Sequence, residues 1–164
     1  MPTTPIIATL GYVKSSDGTS VLMIHRNARP DDPALGKYNG LGGKVERDED
    51  VAACMIRELR EEAGIEAESM ILRGTILWPG FGKSGEDWMG FVFVVDGWSG
   101  EPLQSNPEGA LSWVTIADVL AGAVPLWPGD RHFLPLVFDE DARPFHGVMP
   151  YENGQAVGWS FTRV

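Results

Sequence analysis

The chain has 164 residues, 43% hydrophobic and 22% charged, which fits one soluble domain spanning residues 1–164 with a substantial core. Its formal net charge of −10 repels nucleic-acid backbone and anionic membrane, so neither a nucleic acid polymer nor a membrane is expected as a partner. A single cysteine, Cys54, excludes an intrachain disulfide, no stretch has the length of a membrane span, and no basic-then-apolar leader opens the chain, which together point to a cytoplasmic protein.

Ile6 to Val13 is apolar and predicts a strand, Lys14 to Gly18 a turn, and Val21 to Arg26 a second strand that closes a hairpin. Asn27 to Tyr38 holds two prolines and one glycine and reads as a loop. Gly40, Gly42 and Gly43 follow, where the backbone must bend or approach something closely. Asp48 to Ala63 is the strongest helix in the chain: Val51, Cys54, Met55 and Leu59 form an apolar stripe, acids crowd its start, and Gly64 stands past its end. Cys54 falls on that stripe and is expected to be a small core residue rather than a nucleophile.

Met70 to Trp78 and Trp88 to Val95 read as strands around a glycine-rich loop, with a further strand at Leu111 to Thr115 and a short helix at Ile116 to Ala121. Asp130 is placed to N-cap a helix towards Phe138, which Pro135 should disturb. Phe145 to Pro150 and Gly158 to Arg163 form a final hairpin around Glu152-Asn153-Gly154. The alternation predicts an α/β or α+β fold, with a mixed sheet sandwiched between helices.

The chemistry concentrates in Arg57-Glu58-Leu59-Arg60-Glu61-Glu62-Ala63-Gly64. On a helix Glu58, Glu61 and Glu62 project from neighbouring positions, and each like-charge pair destabilises the helix by roughly 0.2–0.5 kcal/mol. Glu61 and Glu62 also lie in the last turn, where the dipole disfavours anions. A solvated acidic face with an Arg57–Glu61 ion pair is one reading. A bound divalent cation, which reverses the sign of both effects and also meets an anionic ligand on an acidic protein, is the other.

A resemblance to a known family favours the second. Gly43, five residues, Glu49, seven residues, then Arg57 to Ile65 resembles the Nudix box at every fixed position. The resemblance implies a Nudix fold with the box as loop–helix–loop, and hydrolysis of a phosphoanhydride by water with Mg²⁺ or Mn²⁺ as cofactor. It implies Glu58, Glu61 and Glu62 as metal-binding and catalytic residues, the Gly42 carbonyl as a further ligand, Arg57 orienting a glutamate, and Glu49 bracing the loop. The general base in this family varies, and Glu108 stands at a suitable position both for that role and as a metal ligand.

Lys37 to Val45 resembles the approach to the box in oxidised-purine nucleoside triphosphatases of the MutT type. Trp127-Pro128-Gly129-Asp130, then Phe133-Leu134-Pro135-Leu136, then Phe145-His146-Gly147 resemble the animal enzymes that clear 8-oxo-dGTP. By that resemblance Asn39 and Asp130 read the base, Trp127 stacks on it, Thr9 and Arg26 line the base or sugar side, and Trp78 and Trp88 add bulk. A turn residue, a helix cap and core tryptophans are the plainer readings of Asn39, Asp130 and the indoles. The animal enzymes carry two adjacent aspartates where this chain has Gly129-Asp130, which bears on how broadly oxidised bases are accepted. The expected activity is hydrolysis of a nucleoside triphosphate, 8-oxo-dGTP or a related purine, to monophosphate and pyrophosphate. Another nucleotide such as ADP-ribose, or a non-catalytic nucleotide-binding domain, are the alternatives. Every box glutamate is present, which argues against the last.

Overall fold

The computed structural model describes residues 1–164. In chain order its elements are β1 (Ile6–Lys14), β2 (Ser20–His25), β3 (Tyr38–Asn39), α1 (Val51–Ala63), β4 (Glu66–Trp78), β5 (Trp88–Ser99), β6 (Ser105–Asn106), β7 (Gly109–Thr115), α2 (Ile116–Ala121), α3 (Asp130–Phe138), β8 (Phe145–Val148), β9 (Tyr151–Glu152), β10 (Gln155–Ala156) and β11 (Ser160–Arg163). A nine-stranded sheet runs β11-β8-β4-β5-β1-β2-β7-β6, with β3 also on β2, and β9-β10 form a separate two-stranded tip. The sheet is mixed: β1 lies parallel to β5 and β4 parallel to β8, while the other pairs are antiparallel.

Strand alternation divides the core in two. Tyr12, Val21, Met23, Val92 and Val94 face one side and pack with Phe133, Leu134 and Val137 of α3. Their neighbours Val13, Leu22, Ile24, Phe93 and Val95 face the other and pack with Met55, Leu59 and Ala63 of α1. Helices therefore cover both faces of the sheet, the mixed α+β Nudix architecture expected. No helix is long and apolar enough to cross a membrane.

Three details depart from the sequence expectation. The long helix begins at Val51, not Asp48, because the Asp50 carboxylate accepts the Ala53 N–H at 2.8 Å and fixes the start there. Asp130 is not a cap: Gly129 holds that position with no side-chain bond, and Asp130 is the first helical residue. Pro135 does not end α3, which runs to Phe138. Its last carbonyls are taken by the buried Arg73, whose Nε donates to Val137 O at 2.9 Å and Nη2 to Leu136 O at 3.3 Å. The final hairpin forms as β8 against β11, with β9-β10 as its tip. The two-residue strands β3 and β6 carry no sequence pattern that could have announced them.

Candidate active site

The box loop is laid directly on β1. Thr9 N donates to Gly43 O at 2.8 Å and Leu41 N to Gly11 O at 2.9 Å. At Gly42, with φ +152, a Cβ would collide with the Thr9 carbonyl, and at Gly43 it would collide with the Glu58 carboxylate. Only glycine lets the loop lie between the strand and the helix.

Arg57 is the hub of α1. Its Nη2 donates to Glu49 Oε1 at 2.6 Å, and Nη1 reaches Glu58 at 2.9 Å and Glu61 at 3.3 Å. Glu49 Oε1 also accepts the Glu46 N–H at 2.9 Å, so Glu49 ties the loop to the helix. The hydrogen bond from Arg57 holds the Glu49 carboxyl down at about 2. The three glutamates are not equivalent. Glu61 points outward with 59% of its side chain exposed, whereas Glu58 keeps 13%. Glu62 turns inward, where Gly42 N donates to its Oε2 at 3.4 Å.

Burial pushes the Glu62 carboxyl up to about 9, with Glu108 and then Glu58 adding repulsion. Three carboxylates thus converge from two distant stretches of chain. No three His, Cys, Asp or Glu side chains yet stand together in ligating geometry, since Glu58 and Glu61 are drawn to Arg57. The donor set nonetheless fits a hard divalent cation: all are carboxylate oxygens, and the mutual repulsion raising Glu62 is what such a cation offsets.

Glu108 lies between β6 and β7 and is positioned by residues the sequence reading passed over. The Asn106 side chain donates to Glu62 O at 3.0 Å, and its Oδ1 accepts the Glu108 N–H at 2.9 Å, joining the two carboxylate-bearing segments. Arg26 stands 3.6 Å from Glu108 and 2.7 Å from Asp32, whose buried carboxylate also accepts the Ala34 N–H at 2.8 Å. Arg26 therefore faces both the carboxylate cluster and the adjoining pocket.

That pocket, about 250 Å³, opens beside the box loop. The structure brings all seven residues singled out for substrate to its lining: Thr9, Arg26, Asn39, Trp78, Trp88, Trp127 and Asp130. It adds Phe81 and Tyr151, which carried no motif. Phe81 lies at the centre of the aromatic wall, with ring centroids 6.0 Å from Trp78, 5.8 Å from Trp88, 6.1 Å from Trp127 and 5.0 Å from Tyr151. Lys37 and Lys44 each hold an ammonium 5.3 Å from an indole centroid, over Trp127 and Trp88 respectively. Two buried polar atoms, Asn39 Oδ1 and Trp88 Nε1, have no partner in the protein, and both belong to this wall. Burying such groups costs free energy unless something else pairs with them.

Asp130 supplies the pocket's carboxyl group. Burial pushes it up to about 7, with a backbone hydrogen bond from Trp127 opposing. Near neutral pH it is divided between a carboxylate that accepts and a carboxylic acid that also donates. Cys54, by contrast, is wholly buried on α1 and its thiol is pushed up to about 11, so it fits the core role and no nucleophilic one.

Residues 4–137 match the NUDIX domain family. An uncharacterized Nudix hydrolase of Bacillus subtilis, YvcI, is 33% identical over 123 residues, covering 73% of this chain and 75% of that protein. The oxidized purine nucleoside triphosphate hydrolase of Danio rerio is 30% identical over 122 residues, 74% of each chain. The crystal structure of a MutT protein from Bacillus halodurans superposes with a TM-score of 0.79 at 25% identity, covering 95% of this chain and 97% of that one.

Proposed function

The chain belongs to the NUDIX family and is a Nudix hydrolase of the MutT type; from that premise we propose that it cleaves a purine nucleoside triphosphate, 8-oxo-dGTP or a close relative, to monophosphate and pyrophosphate. The observation that carries the substrate half is the pocket: an aromatic wall with two unpaired polar atoms and one carboxyl group, adjoining the carboxylate helix. An indole face offers dispersion to a flat base, and the polar groups read its edge. The name of the Danio rerio relative points to the same substrate class.

Glu58 and Glu62 hold a divalent cation, Mg²⁺ or Mn²⁺, with Glu61, Glu108 and the Gly42 carbonyl as further donors. When bound, the cation neutralises phosphate oxygens and acidifies a water. Arg57 fixes the Glu58 carboxylate through its charge-assisted bond and links it to Glu49. Glu108, set against Glu62 by Asn106, accepts the proton of the attacking water. Asn39 and Asp130 hydrogen-bond the base, Trp127 stacks on it, and Thr9, Trp78 and Trp88 complete its enclosure. Arg26 lies where the triphosphate must pass between the pocket and the carboxylates, and Lys37 and Lys44 supply positive charge at the rim.

The test is product analysis over a nucleotide panel with Mg²⁺ and Mn²⁺. The expected result is monophosphate and pyrophosphate, fastest from 8-oxo-dGTP among the triphosphates. Release of inorganic phosphate, or faster turnover of ADP-ribose than of any triphosphate, overturns the assignment.

A further inference from the structure

Gly129, the residue before Asp130, has no room for a side chain. A Cβ there would stand 2.5 Å from Met149 Sδ and 3.1 Å from Tyr151 Oη. The space next to the start of α3 is therefore already filled, and the polar atom in it is the Tyr151 hydroxyl. Tyr151 lines the same pocket as Asp130. It is anchored from below, its N–H donating to Pro79 O at 2.8 Å, and from the side, its ring meeting Phe81 edge-to-face at 77°. Burial and then the Asp130 charge push its hydroxyl up to about 12, so it keeps its proton at every physiological pH.

We propose that Tyr151 is a specificity-determining residue: its hydroxyl, beside Asp130, reads a second position on the hydrogen-bonding edge of the bound base. The inference rests on the reading of this pocket as the base site. A guanine-type edge sets two donors, the ring N–H and the amino group, next to a carbonyl acceptor. Asp130 answers the donors, and the phenol O–H answers the carbonyl. A phenol is a weaker partner than a second carboxylate but is never an anion here. It can donate to the carbonyl without charge repulsion against Asp130, whereas a base with an amino group in that place reverses the bond and also offers Asp130 a ring nitrogen that accepts instead of donating, so the pair together favours the carbonyl-bearing base.

The experiment compares wild type, Tyr151→Phe and Asp130→Asn in steady-state hydrolysis of dGTP, dATP and dCTP at saturating Mg²⁺, with melting temperatures alongside. Phenylalanine keeps the ring and its packing on Phe81, so folding is preserved. Tyr151→Phe is expected to lower the dGTP-over-dATP ratio of kcat/KM by about 3- to 10-fold, the scale of one neutral hydrogen bond, through KM rather than kcat. An unchanged ratio in Tyr151→Phe beside a shifted ratio in Asp130→Asn overturns the role of Tyr151 alone. Unchanged ratios in both variants overturn the base-site reading itself. An equal loss on all three nucleotides makes Tyr151 a packing residue and overturns its role in specificity.

Discussion

The carboxylate cluster and the aromatic pocket adjoin each other but are built in opposite ways. The first is mostly local: Gly42 through Glu62 are one loop and one helix held by Arg57, and Glu108 alone comes from a distant stretch, tied to Glu62 through Asn106. The second is assembled from β1, β3, the loop around Phe81, the start of α3 and the β9 tip. The local site has its charges mutually paired or mutually opposed. The assembled one is largely aromatic, and two of its polar atoms, Asn39 Oδ1 and Trp88 Nε1, are left unpaired by the protein. A helix can be kept intact while the pocket around it is varied, which separates the reaction from the choice of substrate.

The sharpest way to break that separation is Glu62→Gln. Turnover should fall by orders of magnitude on every nucleotide, because the lost group serves the reaction and not the base. Folding should be retained, and the cation-free melting temperature should rise, because burial and, after it, the charges of Glu108 and Glu58 disfavour a carboxylate at that place and the amide needs no protonation to sit there. A variant with near-wild-type turnover removes Glu62 from the cation site.

Asp130→Asn probes the other half. It should cost guanine-type substrates roughly 1.5–3 kcal/mol in kcat/KM, the scale of a hydrogen bond to a charged group, while leaving the Mg²⁺ dependence unaltered. Equal losses on dGTP and dCTP would deny Asp130 a role in recognition.

Cation and nucleotide should also stabilise jointly. Mg²⁺ or Mn²⁺ alone should raise the melting temperature, and a non-hydrolysable nucleoside triphosphate should raise it further, since both bind only the folded state. Additive shifts no larger than those of Glu62→Gln would mean that the two regions do not meet on one ligand.

The smallest effect is the titration of Asp130. Its carboxyl is raised from the ordinary 3.8 to about 7 on folding. The folded state is thus favoured below the lower value, and that advantage is lost as pH rises through the higher one. Glu62, raised to about 9, loses stability over the same window, so the Asp130 contribution is read in the Glu62→Gln background: there the melting temperature should still decline by a few degrees between pH 5 and pH 8, and adding Asp130→Asn should flatten what remains. In the same window, preference for guanine-type over 2-oxo-adenine nucleotides should increase with pH, as the group passes from donor to pure acceptor. A preference that is flat from pH 6 to 8 would show that the carboxyl does not titrate in that window.

The two construction modes explain what the sequence could disclose. The β1–β2 hairpin and α1 follow from period-two and three-to-four spacing, because those signals lie within a few residues of one another, while the roles of the box residues came from the family resemblance. Asn106 and Asp32 could not be found that way. Each acts across 44 or 6 residues through bonds that exist only after the sheet has closed. Phe81 and Tyr151 belong to a glycine-rich loop and a short hairpin with no periodicity, and their proximity depends on β4, β5 and β8 lying side by side. The single visible hint was Gly129. Its meaning, that Met149 and Tyr151 already fill the space, needs coordinates. That burial raises the Asp130 carboxyl is hidden from sequence for a related reason, since burial is a property of the assembled pocket.

The parallel pairing of β1 with β5 also bears on how the chain is made. Ile6 to Val13 align with Trp88 to Val95, so the first strand cannot find this partner until more than half of the polypeptide has been synthesised. The β4–β8 pairing requires Phe145 to Val148, later still. Until then a nascent chain can form only the β1–β2 hairpin and α1, with β1 presenting an unsatisfied apolar edge. Such long-range closure slows folding and prolongs exposure to aggregation. An amino-terminal fragment ending before Trp88 should therefore be an aggregation-prone chain on the ribosome, dependent on chaperones for the interval before its central strand arrives.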